Sequence, residues 1–380
     1  MSHYDVIVVG AGPAGAATAA LFAEQGRRVL LVDKARFPRP KACAEYVSPG
    51  GVAIIGRLGA LTPIESTGKR RWLRGMAITA PSGQVHLADC HDADGQPRRG
   101  LAVARLVLDL ILLEMAANRG AEVRQGFGVR RVLQSAGRVC GVVGPTGERV
   151  QADLVVGADG LHSIIARQLA QPRNAPWPRR LGLIAHYSDV DWPEDYGHIL
   201  VGSNGYAGAA PLDHDGLVTL GLVRRMPPVR LGSPAAALEA ELAGYPSLAK
   251  RLRDARLSGP VMGVGPLARR VRRAAGAGFA LVGDAAGFFD PFTGEGIYRA
   301  LRGAELLADC PETYARTRAE AFRAKERLVM LLQVLVQLPR LTDFAVSRLQ
   351  SRAEVAAELA NMVGDLCPPR LGVLWRLLGP

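Results

Sequence analysis

The chain has 380 residues, 48% of them hydrophobic and 22% charged, and its formal net charge of +12 is carried almost wholly by arginine. That length predicts two intertwined or successive domains around a large core, and the composition excludes a disordered or low-complexity chain. The five cysteines (Cys43, Cys90, Cys140, Cys310 and Cys367) are scattered, without the spacing of a zinc site or disulfide framework, so they read as reduced thiols and no metal is expected.

The opening residues, MSHYDVIVVG, enter a strand at once and leave no room for a secretory signal, which predicts a cytoplasmic protein. DVIVVG reads as a buried parallel strand that delivers the chain into Gly10, Ala11, Gly12, Pro13, Ala14 and Gly15. Gly10 permits a tight turn, Gly12 lets a pyrophosphate approach the backbone, and Gly15 lets the next helix pack on the strand. With Pro13 and Ala14 in that turn, the phosphate is expected on the helix N-terminus, where free N–H groups favour negative charge. RRVLLVD then forms a second strand ending at Asp33, eighteen positions after Gly15 and followed by Lys34. An acid there hydrogen-bonds a ribose 2′-hydroxyl and repels a 2′-phosphate, so FAD or NAD is favoured at this site and NADP is not.

Further along, RGMAITAPSGQVHLADC predicts a hairpin, and the strand of ADLVVGADG ends at Gly157, Asp159 and Gly160, just before a helix. Alternating patterns in LGLIAHYSDV, HILVGSNGYAGAAPL and GLVTLGLVRR predict a second sheet across 181–224. Arginines gather in KRLRDAR and RRVRR between 250 and 273. No helix-turn-helix, zinc or aromatic RNA-binding signature accompanies them, so cofactor phosphates or an acidic membrane surface are the expected contacts and nucleic acid is not. GFALVGDAAGFFDPFTGEGIYRALRGAELLA repeats the strand, glycine, helix order: Asp284 follows a buried strand, and Gly294, Glu295, Gly296 and Ile297 open a helix. Backbone N–H groups at that opening suit a negatively charged part of a ligand. From 311 onward the pattern is helical, and no apolar run approaches the roughly twenty residues of a membrane span.

Taken together, the first glycine motif, GADG, ARLVLDLIL and the spelling G-D-A-A-G, Pro291, G-E-G-I resemble flavoproteins of the p-hydroxybenzoate-hydroxylase fold over roughly residues 4–310. The similarity is to the branch that includes geranylgeranyl reductases and flavin-dependent halogenases. It implies an α/β (α+β overall) fold, with a Rossmann-like FAD-binding domain drawn from 1–71, 101–176 and 269–310. It further implies an inserted antiparallel substrate sheet from 72–100 and 177–268 and a C-terminal helical region over 311–380. The implied FAD contacts are Gly10, Gly12, Gly15 and Asp33, Arg105 at the phosphates, Asp159 near the pyrophosphate, Asp284 on the ribityl chain, and the Gly294–Ile297 turn. A second complete glycine motif is missing, so NADPH or NADH is expected only as a transient electron donor.

In RFPRPKACAEYVSPG, Lys41, Cys43 and Pro49 match the reductase-like branch, whereas Ala44 and Glu45 stand where small glycines are frequent. Cys43 either faces the flavin or is a small buried hydrophobe. Glu45 and Tyr46 are candidate proton donors or acceptors, with a solvated loop as the alternative. Tyr206, in GYAGAAPL, either lines the substrate pocket or is an ordinary core aromatic. The leading expectation is an NAD(P)H-dependent monooxygenase acting on a hydrophobic phenolic or polyketide-like small molecule. Reduction of carbon–carbon double bonds in a prenyl lipid is the close alternative. Halogenation comes third, because no W-x-W-x-I-P is present, and a non-enzymatic lipid-binding module represents a different class. The late C-terminal helices either cover the core or meet a membrane surface, and the sequence leaves the oligomeric state open.

Overall fold

Val6, Ile7, Val8 and Val9 are each at most 5% exposed, as a strand covered on both faces requires. They belong to the strand His3–Val9, inside the first of two eight-stranded sheets, the cofactor sheet, in a computed structural model that describes residues 3–175, 177, 179–226 and 232–379. Met1, Pro176 and Pro380, end residues of three expected ranges, lie outside the described residues.

On one side the central strand pairs in parallel with Val29–Asp33, and beyond it lies Glu122–Gln125; on the other it pairs with Arg149–Gly157, flanked by Phe279–Leu281. The parallel register brings Val9 beside both Val32 and Gly157, so the glycine turn, Asp33 and the GADG segment converge at one sheet edge. Ligands of open parallel sheets collect at the carboxyl ends of the strands for this reason. Helices Pro13–Glu24, Arg105–Asn118 and Gly296–Asp309 pack together on one face. The expected α/β architecture is the one observed.

A second sheet combines the hairpin Gly75–Thr79 and Val85–Asp89 with the strands Tyr196–Val201, Gly205–Pro211, Val218–Arg225 and Arg180–Ser188. One face of this sheet is closed by Leu183, Ala185, Leu220 and Leu222, packed with Leu238, Tyr245 and Leu248 from two short helices. Strand alternation turns Ile184, His186, Thr219, Gly221 and Tyr206 to the opposite face, towards the cofactor sheet.

Helices Tyr314–Val336, Pro339–Ser351, Ala353–Val363 and Gly372–Leu378 share a core of their own around Leu328, Leu349, Met362 and Leu377. They grip the hairpin through Asp343, which accepts from Ser82 N, and Asn361, which accepts from His91 N. They also reach the second sheet and the loop after Asp284 through Gln333. Arg180 donates to Asp290 Oδ2 at 3.1 Å and also to Gln333 Oε1. Tyr206 donates to Asp290 Oδ1 at 2.5 Å and Gln333 Nε2 donates to the same oxygen at 2.7 Å. Three distant parts of the chain therefore meet on one buried carboxylate.

Candidate active site

The glycine turn is built by exclusion. Gly10 adopts φ +102°, and a Cβ there would lie 2.5 Å from the Ala158 carbonyl oxygen; a Cβ on Gly15 would lie 1.7 Å from the Gly10 carbonyl oxygen. Neither position admits a side chain. Gly12 differs, because its Cβ position meets only the Arg105 and Arg39 guanidinium groups, at 3.6 and 3.7 Å. Two cations thus face the start of the helix that Pro13 opens, and that arrangement suits an anion.

Asp33 accepts from Ala11 N and Ala35 N, both at 2.8 Å, which fixes the carboxylate at the strand end. Arg39 bridges Asp33 at 3.9 Å and Asp109 at 3.5 Å. Arg105 forms a bidentate pair with the fully buried Asp109, at 2.6 and 2.7 Å. Although burial disfavours its charge, Asp109 and Cys43 hold the Arg105 guanidinium above its ordinary pKa, so it stays a cation beside Gly12. Lys34 is exposed, with Gly128 alongside.

Asp159 caps the helix Ile164–Leu169 by accepting from Ile164 N at 2.7 Å, and its buried Oδ1 has no hydrogen-bond partner. Burial raises its pKa, as it does for Asp284, whose charge is drawn back by Lys41, Arg105 and Arg299. Gly283, at φ +57°, brings that turn against Ala14, whose Cβ is 2.9 Å from its Cβ position. The glycine helix and the Asp284 turn are therefore neighbours. Alongside them Gly296 begins the helix Gly296–Asp309, with open space at its Cβ position, and Ile297 anchors the helix in the core with Ala16 and Ala17. Glu295 is 4% exposed, accepts from Arg299 at 3.2 Å, and leaves Oε2 without a hydrogen bond, 3.8 Å from Lys325.

The residues present fit FAD. Two cations and a helix N-terminus suit its pyrophosphate, Asp33 suits a ribose, and the buried Asp159 Oδ1 and the open Gly296 turn remain available to a polar, ring-bearing ligand. When bound, that cofactor would supply the electron-transfer chemistry that no side chain here provides.

The four residues singled out on the substrate side have different surroundings. Cys43 lies beside Arg105, accepts from Glu45 N at 3.3 Å, and has its thiol pushed up by burial. Tyr46 is wedged between Gly294 and Gly100, whose Cβ positions lie 2.5 and 2.6 Å from its ring, and burial raises its pKa. Tyr206 is 4% exposed, bound to Asp290, and stacked edge-on to Phe292 at 5.0 Å. Its hydroxyl is thus committed to the inter-sheet network, where burial and Asp290 raise its pKa well above the usual phenol value.

Glu45 is 2% exposed, adopts φ +58°, accepts from Arg105 N at 2.8 Å, and meets His186 Nε2 at 2.7 Å. Sequence reasoning passed over His186, a lone histidine inside a strand. It also passed over Arg39 and Arg299. Arg39 had a faint signal in the basic, proline-bracketed RFPRPK that follows Asp33.

The profile of a family described as "FAD binding domain" matches residues 3–309. The chain is 30% identical to a menaquinone reductase of Mycolicibacterium smegmatis, an alignment covering 99% of this chain and 96% of that one. It is 32% identical to a digeranylgeranylglycerophospholipid reductase of Methanopyrus kandleri, over 79% of this chain and 74% of that one. Among solved structures, a flavin-dependent brominase superposes with a TM-score of 0.82 at 21% identity, over 99% of this chain and 98% of that one. A myxobacterial chondrochloren halogenase superposes with a TM-score of 0.79 at 20% identity, over 100% and 96%.

Proposed function

The chain belongs to the FAD binding domain family and is an FAD-dependent oxidoreductase, and from that premise we propose that it reduces carbon–carbon double bonds in the polyprenyl chain of a lipid. The observation that carries this reading is the end-to-end similarity to menaquinone reductases, supported by the digeranylgeranyl-lipid reductases. The substrates those names describe share a polyprenyl chain, and alkenes are the reducible groups common to both. Hydroxylation, the leading expectation from sequence alone, gives way to this alternative. The halogenase superpositions, near 20% identity, speak to fold only.

The second sheet agrees with an apolar substrate. The face that looks towards the cofactor sheet carries Gly182, Ile184, Gly208, Gly221 and Val223 between Arg180 and His186. In this reading Arg105, Arg39 and Asp33 hold the cofactor, and the two sheets exclude water from the space between them. NADPH or NADH, bound transiently, is the proposed electron donor.

The test is anaerobic. Photoreduced, FAD-loaded protein is mixed with a prenyl quinone or a geranylgeranyl lipid, flavin absorbance is followed, and the product is weighed. Reoxidation with a gain of two hydrogens per double bond is expected. A flavin that stays reduced until oxygen is admitted, and then gives a product one oxygen heavier, would sink the reading and restore hydroxylation.

We further propose that the protein meets its substrate at an anionic membrane surface. No single helix among the described residues is long and apolar enough to cross a membrane, and Tyr314–Val336 reaches that composition only jointly with Pro339–Ser351, across a bend of 115°. Met330, Leu331, Val334 and Leu338 lie exposed on one stripe around that bend, with Arg327 and Arg340 beside them. Gln337, on the same turn, shares a depression with the exposed Trp177, Arg179 and Arg225. Apolar side chains ringed by arginines fit an acidic headgroup layer. The double variant Leu331→Glu, Val334→Glu is expected to lower co-sedimentation with phosphatidylglycerol vesicles at least about tenfold. Turnover of a short, detergent-dispersed substrate should persist, and binding as tight as that of the parent would refute the contact.

A further inference from the structure

The structure assigns a second role to the loop after the cofactor turn: we propose that Glu45 and His186 form a proton-delivering pair at the substrate face. The proposal rests on the double-bond reading above. Saturating an alkene takes two electrons and two protons. The bound cofactor supplies the electrons and one proton; the second proton comes from the Nδ1–H of the His186 imidazolium, forming the new C–H bond, and the imidazole then regains a proton from solvent.

Three observations bear on this. The pair joins the loop before Tyr46 to the second sheet, linking residues 141 positions apart at 2.7 Å through Nε2, and among the described residues the other ring nitrogen has no hydrogen-bond partner. Glu45 is held in a left-handed backbone conformation, φ +58°, which a buried non-glycine residue adopts only where its surroundings enforce it. Its second oxygen is fixed by Arg105 N, so the carboxylate aims Oε2 at the imidazole as a rigid post.

The location also fits. His186 pairs across the strands with Thr219, which is fully buried and whose Oγ1 has no partner. On the same face Gly221 lies against Ala44, 3.6 Å from its Cβ position. Tyr46, the residue after Glu45, touches Gly294 of the turn that opens the cofactor-side helix. A half-buried imidazole therefore stands beside an unsatisfied hydroxyl and a glycine-floored face, next to the loop that faces the cofactor.

The hydrogen bond that the imidazole donates to Glu45 raises the His186 pKa above its ordinary value, against the opposing effect of burial. Among the described residues Glu45 is the one charged group acting on the imidazole, while Ser258 N donates to the His186 carbonyl. Glu45 is thus the group that controls its charge. Glu45 acts as a positioning residue and His186 as the acid.

Two measurements decide the matter, both on the full chain. In the first, the His186 imidazole is titrated by NMR in protein carrying labelled histidine, with and without FAD. A pKa above the ordinary histidine value is expected, falling by about one unit or more in Glu45→Gln. In the second, anaerobic single turnover of a prenyl quinone is followed against pH. His186→Gln should slow it by about 100-fold or more with FAD binding unchanged. In the parent the rate should fall as pH rises through the imidazole pKa, and that fall should move to lower pH in Glu45→Gln. Parent protein that turns over no prenyl substrate overturns both this proposal and the reading beneath it. Parent turnover matched within about threefold by His186→Gln, or an unmoved pH limb and pKa in Glu45→Gln, overturns the pair alone.

Discussion

Replacing Gly12 with valine is expected to give a folded, colourless protein. Gly12 has φ −72° and ψ −175°, a conformation open to any residue, and the atoms nearest its Cβ position are at ordinary contact distance. The fold should therefore tolerate the new side chain. Its methyl groups, however, fill the gap between the helix N-terminus and the Arg105 and Arg39 guanidinium groups, where a pyrophosphate must reach the backbone. FAD affinity should drop at least about 100-fold, near 3 kcal/mol, while the circular dichroism spectrum and unfolding midpoint of the apoprotein stay within error. Gly15→Val is the contrast. Its Cβ would overlap the Gly10 carbonyl oxygen at 1.7 Å, so loss of soluble protein is expected, not loss of cofactor alone. Titration of Gly12→Val with FAD to parental affinity would show that the cofactor lies elsewhere.

Asp290→Ala should destabilise the protein by about 3–5 kcal/mol, the usual cost of stranding a buried charge. Asp290 and Arg180 are each 3% exposed, and the same carboxylate accepts from Tyr206, Gln333 Nε2 and Phe292 N. Removing it leaves a buried guanidinium, a phenol and an amide without their acceptor. Asp290→Asn keeps the shape and one acceptor and should lose less. The double variant Arg180→Met, Asp290→Leu, which removes both charges, should recover much of the loss. Urea unfolding followed by fluorescence reads the free energy, and limited proteolysis shows whether the helices after Tyr314 loosen from the second sheet. A loss below about 1 kcal/mol for Asp290→Ala would mean the network is decoration and not a clasp.

The two experiments probe different kinds of information. Gly12 and Gly15 act through the backbone of their own turn, and their spacing is written in consecutive residues, even though the cations facing Gly12 come from Arg39 and Arg105. Asp290 acts through Arg180, Tyr206 and Gln333, which lie up to 110 positions away.

The cofactor half of this protein was legible in its sequence for that reason. A strand, three glycines, a helix and an acid in fixed spacing describe one local unit, and the parallel register of Val9 with Val32 and Gly157 then carries GADG to the same edge without further instruction. The turn at Gly294–Gly296 was visible because glycine at a helix start has few other uses. The hairpin at 75–89 was equally plain, but its partnership with strands from 180 onward was not written in either segment.

Tertiary structure alone decided the substrate side. Glu45 read as a candidate proton donor or acceptor with a solvated loop as the alternative, and His186 went unread; only the pairing of His186 with Thr219 and the packing of Ala44 on Gly221 bring the two together. A one-residue slip of the strand Arg180–Ser188 would turn His186 into the packed face and Leu183 and Ala185 out of it, breaking the pair without changing the residue composition of either segment. Tyr206 shows the same dependence, since Asp290 claims its hydroxyl from a segment 84 positions away. Local spacing determined the nucleotide, because a phosphate turn is made of consecutive backbone atoms. The chemistry facing the substrate waited on strand register, because its groups come from separate segments that only folding brings into contact.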